Sequence, residues 1–207
     1  MNTISSDENA SVPGEIFGQI LGQLEAARQS ASRARVLGIA GCRSGDGATY
    51  VLGTLALRLA SRSRRGVLRA ACEDLLLASR LERSELLAQC SFTNEAGLWL
   101  LSSPERGSSS GSSGIASEAD LKTAMGVLGS RFDFVLVDCG AVNVSGGIWR
   151  VAPIVDDVLL VVAAGETTRH QITYAQRIIA QSGAHLSGCI LNRRTYPLPG
   201  ILHRLLS

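Results

Sequence analysis

The sequence predicts an α/β fold, in which a doubly wound, mostly parallel sheet carries helices on both faces. Short runs that are apolar at every position are typical of strands buried on both faces, and they alternate with segments of helical character. A glycine-rich turn, 41–47, separates the first such run from the helix that follows it. The length of 207 residues suits one domain of this class.

The individual elements can be placed along the chain from the same patterns. Apolar runs predict strands at 36–40, 67–71, 98–101, 134–137, 158–162 and 186–191. Spacing and composition predict helices at 15–30, 49–61, 73–88, 118–128 and 168–181. Gly41, Asp138 and Asn192 each end or follow an apolar run. Because the carboxyl ends of parallel strands lie at one edge of a sheet, we expect these residues to converge there. Ligands of such sheets bind at this edge.

The domain organisation is predicted to be simple. Residues 15–207 are expected to form a single domain, preceded by a polar, disordered leader at 1–14. Segment 107–114 is almost all Ser and Gly and predicts a flexible loop. The C-terminal segment 195–207 has two open interpretations, a helix packed on the core or a docking segment for a membrane partner or the bilayer surface.

Composition excludes several classes of function. The net charge of +2 is too small to indicate a nucleic-acid partner or a membrane surface. The five cysteines form no CxxC pair, which favours reduced thiols over a disulfide framework or zinc site. Neither a signal peptide nor a bilayer-spanning run is recognisable, so the chain is predicted to be cytoplasmic and to reach the inner membrane only through a partner.

Segment 36–49 has the outline of a phosphate-binding loop. Such a loop follows a strand, surrounds phosphates with backbone N–H groups and opens a helix. Gly45 and Gly47 stand where close backbone approach is required, and Thr49 stands where a hydroxyl binds Mg²⁺. Ala48, however, occupies the position of the lysine. Alone, this motif match is weak, because a glycine-rich turn between strand and helix is often only a turn.

Three segments in the second half of the chain carry a resemblance to a known family. Residues 131–142 read Arg-Phe-Asp-Phe-Val-Leu-Val-Asp-Cys-Gly-Ala-Val, 152–169 end in Gly-Glu-Thr-Thr-Arg, and 188–193 read Gly-Cys-Ile-Leu-Asn-Arg. They resemble the Walker B strand and later strands of the bacterial tyrosine kinases of capsule and exopolysaccharide synthesis (the CpsD/CapB type). That family is related to the MinD/ParA ATPases. The likeness extends over 15–194 and is most specific in the second half.

The resemblance implies a P-loop NTPase-like fold and a set of site residues. The positions that match the family's nucleotide site are Arg43, Gly45, Asp46, Gly47, Thr49 and Asn192. Asp138 and Thr49 match the family's Mg²⁺ position, and Asn192 matches an asparagine that contacts adenine. The cofactor implied is weakly bound ATP or ADP with Mg²⁺, and no residue is assigned a catalytic role.

The departures from the family pattern all point away from catalysis. The lysine position is Ala48, and the Asp-x-Asp of the Walker A′ strand falls on Ala71 and Glu73. Tyr196 is the one tyrosine in a tail that is a tyrosine cluster in many catalytic members. The family's Glu-x-x-Arg-x-x-Arg pattern, linked to ring assembly, reads Glu15, Gly18 and Leu21. A ring is therefore less expected, and the oligomeric state stays open.

The functional hypothesis is a non-catalytic pseudokinase or pseudo-ATPase in exopolysaccharide or capsule synthesis or export. Its expected partner is a membrane polysaccharide copolymerase, that is, a chain-length or export protein. One alternative is an active tyrosine autokinase or ATPase in which Arg43 replaces the lysine, because a guanidinium binds phosphate bidentately. The other is a MinD/ParA-like positioning ATPase, which requires a nucleotide-dependent dimer.

Overall fold

The computed structural model describes residues 14–29, 33–93, 97–103 and 116–193. The predicted leader up to residue 13, the Ser/Gly loop 107–114 and the segment 195–207 with Tyr196 lie outside the described residues. Gly14, which the sequence assigned to the leader, is the first residue of a helix. No helix in the described ranges is long and apolar enough to cross a membrane.

One sheet of seven strands organises the described chain. The elements are α1 (Gly14–Gln29), β1 (Arg35–Gly41), α2 (Ala48–Ala60), β2 (Val67–Ala71), α3 (Cys72–Ala78), α4 (Arg83–Ala88), β3 (Cys90–Phe92), β4 (Leu98–Leu101), α5 (Glu118–Arg131), β5 (Phe134–Ala141), α6 (Gly147–Val151), β6 (Asp157–Ala163), α7 (Arg169–Gln181) and β7 (Leu186–Asn192). The strand order is β3-β4-β2-β5-β1-β6-β7, and every neighbouring pair is parallel except β3 with β4. The predicted doubly wound, mostly parallel α/β fold is confirmed.

Both faces of the sheet are buried, as the all-apolar strand runs require. Leu37 and Ile39 of β1 face the cluster formed with α1 and α2, where Leu52 is fully buried. Val36 and Ala40 face the opposite cluster, to which α3, α5, α6 and α7 contribute. Alternate residues of one strand thus enter two separate cores, and β1 lies in the interior of the sheet between β5 and β6.

The prediction of a single helix at 73–88 is wrong. The chain instead forms α3 and α4, separated by a turn in which Leu81 N–H bonds to the Ala78 carbonyl. Neither proline nor glycine marks the break, so local propensity favours continuation. Tertiary packing overrides it, because the redirected α4 buries Leu86 and the intervening Leu81 packs on the same core.

The structure differs from the predictions in three smaller respects, which concern β3, α6 and the length of β5. The short strand β3 and the short helix α6 were not predicted, since neither has enough residues to show a period. The strand predicted at 134–137 continues to Ala141 as β5, so Asp138 lies within the strand and not beyond it. Gly41 and Asn192 are the last residues of β1 and β7, and both lie at the same edge as Asp138.

A charged clamp fixes the opposite edge of the sheet, at the amino end of β5. The Asp133 carboxylate accepts hydrogen bonds from Arg28 of α1 at 2.8 Å and from Arg65 Nε at 3.0 Å. It also accepts the backbone N–H groups of Arg64 and Arg65, each at 3.0 Å. Burial alone would raise the pKa of Asp133, but these hydrogen bonds outweigh it and hold the pKa below its usual value.

Replacing this carboxylate should destabilise the fold. Asp133→Asn leaves Arg28 and Arg65 facing a neutral group, and we expect a loss of about 1.5–3 kcal/mol in the free energy of unfolding at neutral pH. Since the folded-state pKa is lowered, the stabilisation is complete above the unfolded pKa and disappears as pH falls through the folded value. Urea unfolding at pH 7 and near pH 3 measures both effects, with the exposed Glu118→Gln as control. Equal stability of the two variants at pH 7 would contradict the clamp.

Candidate nucleotide-binding site

The loop between β1 and α2 adopts a conformation suited to binding an anion. Gly45 and Gly47 have φ of 89° and 88°, in the left-handed region that favours glycine. Gly47 is the N-cap of α2 and supplies no side-chain hydrogen bond to the first turn. The first backbone bond of α2 runs from Val51 N–H to the Gly47 carbonyl. The backbone N–H groups of the residues just before Val51 therefore lie at the positive end of this 13-residue helix.

Asp46 organises this loop from the inside. Its side chain is 0% exposed, and its carboxylate accepts the backbone N–H of Arg43 at 2.9 Å. Both carboxylate oxygens also lie 3.2 Å from the hydroxyl of Thr167, in the loop after β6. The sequence assigned Asp46 to the nucleotide site, and the structure gives its side chain a role in holding the loop together. A buried negative charge beneath the loop opposes the binding of a phosphate.

Asn192 holds the loop from the end of β7. Its Nδ2 donates to the Asp46 carbonyl at 2.9 Å, and the residue is buried. Gly47 lies directly against this amide, so that a Cβ at position 47 would overlap Nδ2. Among the described residues, the buried Oδ1 of Asn192 has no hydrogen-bond partner. The amide thus contacts the loop through one end and keeps an unused acceptor at the other.

Thr49 and Asp138 meet where the sequence places Mg²⁺. Thr49 Oγ1 donates to Asp138 Oδ2 at 2.7 Å, while Asp138 Oδ1 accepts the Gly140 N–H at 3.0 Å. In the part of the chain that the structure describes, no three His, Cys, Asp or Glu side chains converge as a metal site. A hydroxyl and one carboxylate nevertheless fit Mg²⁺, which takes its remaining oxygens from phosphates and water.

The lysine position of the loop is apolar. Ala48 is the first residue of α2, is 9% exposed, and packs in the same core cluster as Leu52. Lys122 does not lie near this position. It pairs with Glu118 on α5 and lines a cavity with Arg33, near the amino ends of the strands and away from Thr49.

Arg43 lies on the loop itself but is engaged by acidic neighbours. Its Nε lies 3.7 Å from Asp46 Oδ1, and its Nη1 donates to the Glu166 carbonyl at 3.2 Å. Its Nη2 lies 3.7 Å from Glu166 Oε2. The guanidinium is therefore directed to the loop after β6, and it would have to exchange partners to reach a bound phosphate.

The Walker A′ positions contribute one carboxylate at most. Ala71 is in register with Asp138 across the β2–β5 pair, and its methyl group supplies no ligand atom. Glu73 lies exposed in the first turn of α3. Burial, followed by the charge of Glu73, raises the pKa of the Cys72 thiol to about 12. Burial likewise raises the pKa of the Cys139 thiol, which disfavours a thiolate nucleophile beside Asp138.

Sequence reasoning missed three residues that complete the site. Thr167 bonds to Asp46 of the loop, Glu166 contacts Arg43, and Arg193 Nη1 in turn donates to Glu166 Oε1 at 3.1 Å. A signal was present, because Glu166 and Thr167 belong to the Gly-x-Thr-Thr-Arg ending that marks the family resemblance. The ending identified a segment but gave no role to its side chains.

No protein-family model matches the sequence, and no curated protein is significantly similar to it. Solved structures share its fold over most of its length. The chimerical protein CapA2B2 has a TM-score of 0.70 at 18% identity, covering 92% of this chain and 88% of that one. The kinase domain of the Escherichia coli tyrosine kinase ETK has a TM-score of 0.62 at 20% identity, covering 89% and 78%.

A MinD protein extends the comparison to a structure with a bound nucleotide. The septum site-determining protein MinD from Pyrococcus horikoshii, solved with Mg-ADP, has a TM-score of 0.55 at 18% identity and covers 76% of this chain and 70% of that one. At these identities the similarity establishes the fold alone. The chain therefore has the P-loop NTPase-like α/β fold of bacterial tyrosine kinase domains and MinD.

Proposed function

We propose that this chain is a non-catalytic pseudokinase or pseudo-ATPase that retains a weak Mg-nucleotide site. The observation that carries the proposal is the loop itself. Its backbone conformation and the Thr49–Asp138 pair are present, whereas the lysine position is the buried Ala48. Arg43, the cation within the loop, is engaged by Asp46 and Glu166.

Catalysis suffers more than binding from this arrangement. Phosphoryl transfer depends on positioning and on stabilising charge that develops in the transition state. Loss of one preorganised donor lowers such rates by about 10²–10³. Loss of one charged hydrogen bond weakens ground-state binding by only about ten- to a hundredfold. Weak binding without turnover is the expected combination.

Calorimetry with ADP tests the retained site. We expect measurable binding of ADP with Mg²⁺, and Asp138→Asn should weaken it about tenfold by removing one charged oxygen from the Mg²⁺ position. Binding of ADP in the presence of a chelator should be the same for both proteins. Glu118→Gln, which changes an exposed ion pair on α5, serves as the control and should match the wild type.

An Asp138→Asn protein that binds Mg-ADP as tightly as the wild type would contradict the Mg²⁺ assignment. Absence of any binding would leave a scaffold without a nucleotide site. In that case the fold would be retained for protein contacts alone.

The proposed biological setting is exopolysaccharide or capsule synthesis or export. It is supported by the segments that resemble the tyrosine kinases of those systems and by the shared fold. The proposed partner is the cytoplasmic part of a membrane polysaccharide copolymerase, which would hold the chain at the inner membrane. Purified chain should be retained by an immobilised cytoplasmic segment of such a copolymerase from the same cell. Failure to bind it would remove this partner.

A working autokinase or ATPase is the second candidate, since Arg43 lies on the loop and part of its side chain is exposed. It requires the guanidinium to leave Asp46 and Glu166 and contact phosphate. Phosphotyrosine or ATP turnover that disappears in Arg43→Ala would favour this candidate. A MinD-like cycle would further show a dimer in ATP that is absent without it, which sedimentation measures.

A further inference from the structure

We infer that Glu166 is an internal anionic ligand that occupies Arg43 and Arg193, and that a phosphate-bearing ligand binds by displacing it. The inference rests on the proposed nucleotide site and adds a regulatory contact to it. Three segments distant in sequence form this contact, namely the loop after β1, the loop after β6 and the residue after β7.

The Glu166 carboxylate bridges two arginines. Oε1 accepts Arg193 Nη1 at 3.1 Å, and Oε2 lies 3.7 Å from Arg43 Nη2. A second bond joins Arg43 Nη1 to the Glu166 carbonyl at 3.2 Å. Two guanidinium groups that converge on one planar anion form the arrangement by which arginines bind phosphate. Here the anion is supplied by the chain itself.

The bridge is exposed and can open without disturbing the core. The side chains of Glu166, Arg43 and Arg193 are 49%, 31% and 45% exposed, respectively. Exposed ion pairs contribute little to stability, so the fold does not depend on this one. A dianionic phosphate is a stronger ligand for two guanidiniums than a carboxylate, and it can therefore take Glu166's place.

The bridge is connected to the phosphate loop by adjacent residues. Thr167, next to Glu166, bonds to Asp46, and Asn192, next to Arg193, bonds to the Asp46 carbonyl. Arg193 also has φ of 56°, an uncommon conformation for a residue other than glycine. Displacing the Glu166 carboxylate thus removes one of the two acidic side chains that hold Arg43, at the loop where Ala48 leaves no lysine.

If phosphate binds by displacing Glu166, replacing Glu166 should raise the affinity for phosphate. Only molecules in which the bridge is open can bind phosphate. The apparent affinity for phosphate is therefore the intrinsic affinity multiplied by the fraction of molecules with an open bridge. Removing the acidic side chain should therefore strengthen anion binding. A residue with a supporting role in the site would give the opposite result when removed.

The test compares Glu166→Gln with Glu25→Gln by calorimetry. Glu25 is also an acidic residue paired with an arginine, Arg62, but it lies in α1 at the opposite edge of the sheet. The two variants make the same change in net charge. We expect Glu166→Gln to bind inorganic pyrophosphate and ADP about tenfold more tightly than the wild type, and Glu25→Gln to bind as the wild type does. Adenosine, which has no phosphate, should bind all three proteins equally.

Adding Arg43→Ala to Glu166→Gln should abolish the gain, since Arg43 is its expected source. Unchanged or weaker pyrophosphate binding by Glu166→Gln would overturn the inference, and so would an equal gain in Glu25→Gln. A Glu166→Gln protein that binds more tightly and also turns over ATP would contradict the non-catalytic function while supporting the bridge. One that binds as the wild type does and shows no turnover would overturn the bridge alone.

Discussion

Ala48→Lys should tighten Mg-ATP binding by about ten- to a hundredfold, because it restores one charged hydrogen bond to phosphate. Position 48 follows Gly47 directly and opens α2, so a side chain there starts at the mouth of the loop. Calorimetric titration with Mg-ATP of the wild type and the variant measures the difference.

The matched control for this prediction is Ala48→Met, which adds a flexible stem without charge. Ala48 packs against the core of α2, and both variants must place a longer side chain at this buried position. The ammonium group also lies at the positive end of the helix, which lowers stability by about 0.3–1 kcal/mol in the absence of ligand. If lysine and methionine give the same affinity, the missing charge is not what limits binding.

Gly47→Ala should destabilise the protein more than Gly45→Ala, although both positions have nearly the same backbone conformation. Their φ values are 88° and 89°, so alanine costs about 1–2 kcal/mol at either position. A Cβ at Gly45 meets nothing within 4 Å, whereas at Gly47 it overlaps the Asn192 amide. Moving that amide breaks its bond to Asp46 and adds about 1–3 kcal/mol.

Urea unfolding of the two variants isolates the contact between the loop and β7. The cost of placing alanine at a positive φ is the same in both variants, so it cancels in the difference between their free energies of unfolding. The same pair should also differ in nucleotide binding, since Asn192 positions the loop. Equal stabilities would mean that the Asn192 contact contributes nothing to the fold. That result would remove the reason for regarding the loop as held from β7.

The sheet and the meeting of Thr49 with Asp138 could be predicted because their signals are local. Runs such as 134–137 and 158–162 are apolar at each position, which is what a strand covered on both faces needs. Thr49 and Asp138 follow motif positions, and the parallel sheet brings them within 2.7 Å. The turn between α3 and α4 has no such signal, because it depends on how Leu86 packs into the core.

The contacts of Asp46 and Arg43 could not be predicted, because they join residues far apart in sequence that no motif position links. Asp46 was assigned as part of a phosphate loop, but its bond to Thr167 spans 121 positions. The Arg43–Glu166 contact spans 123. Nothing in the local pattern distinguishes an arginine that faces a ligand from one that faces an internal carboxylate. That distinction decides between the catalytic and non-catalytic interpretations.

The most direct test of the non-catalytic function is ATP turnover by the purified chain, measured beside Asp138→Asn and Arg43→Ala. Phosphate release and phosphotyrosine would be followed together, with the copolymerase segment absent and then present. We expect the wild type to be indistinguishable from both variants under each condition. Turnover by the wild type that both substitutions abolish would contradict the account, and would identify Arg43 as the replacement for the missing lysine.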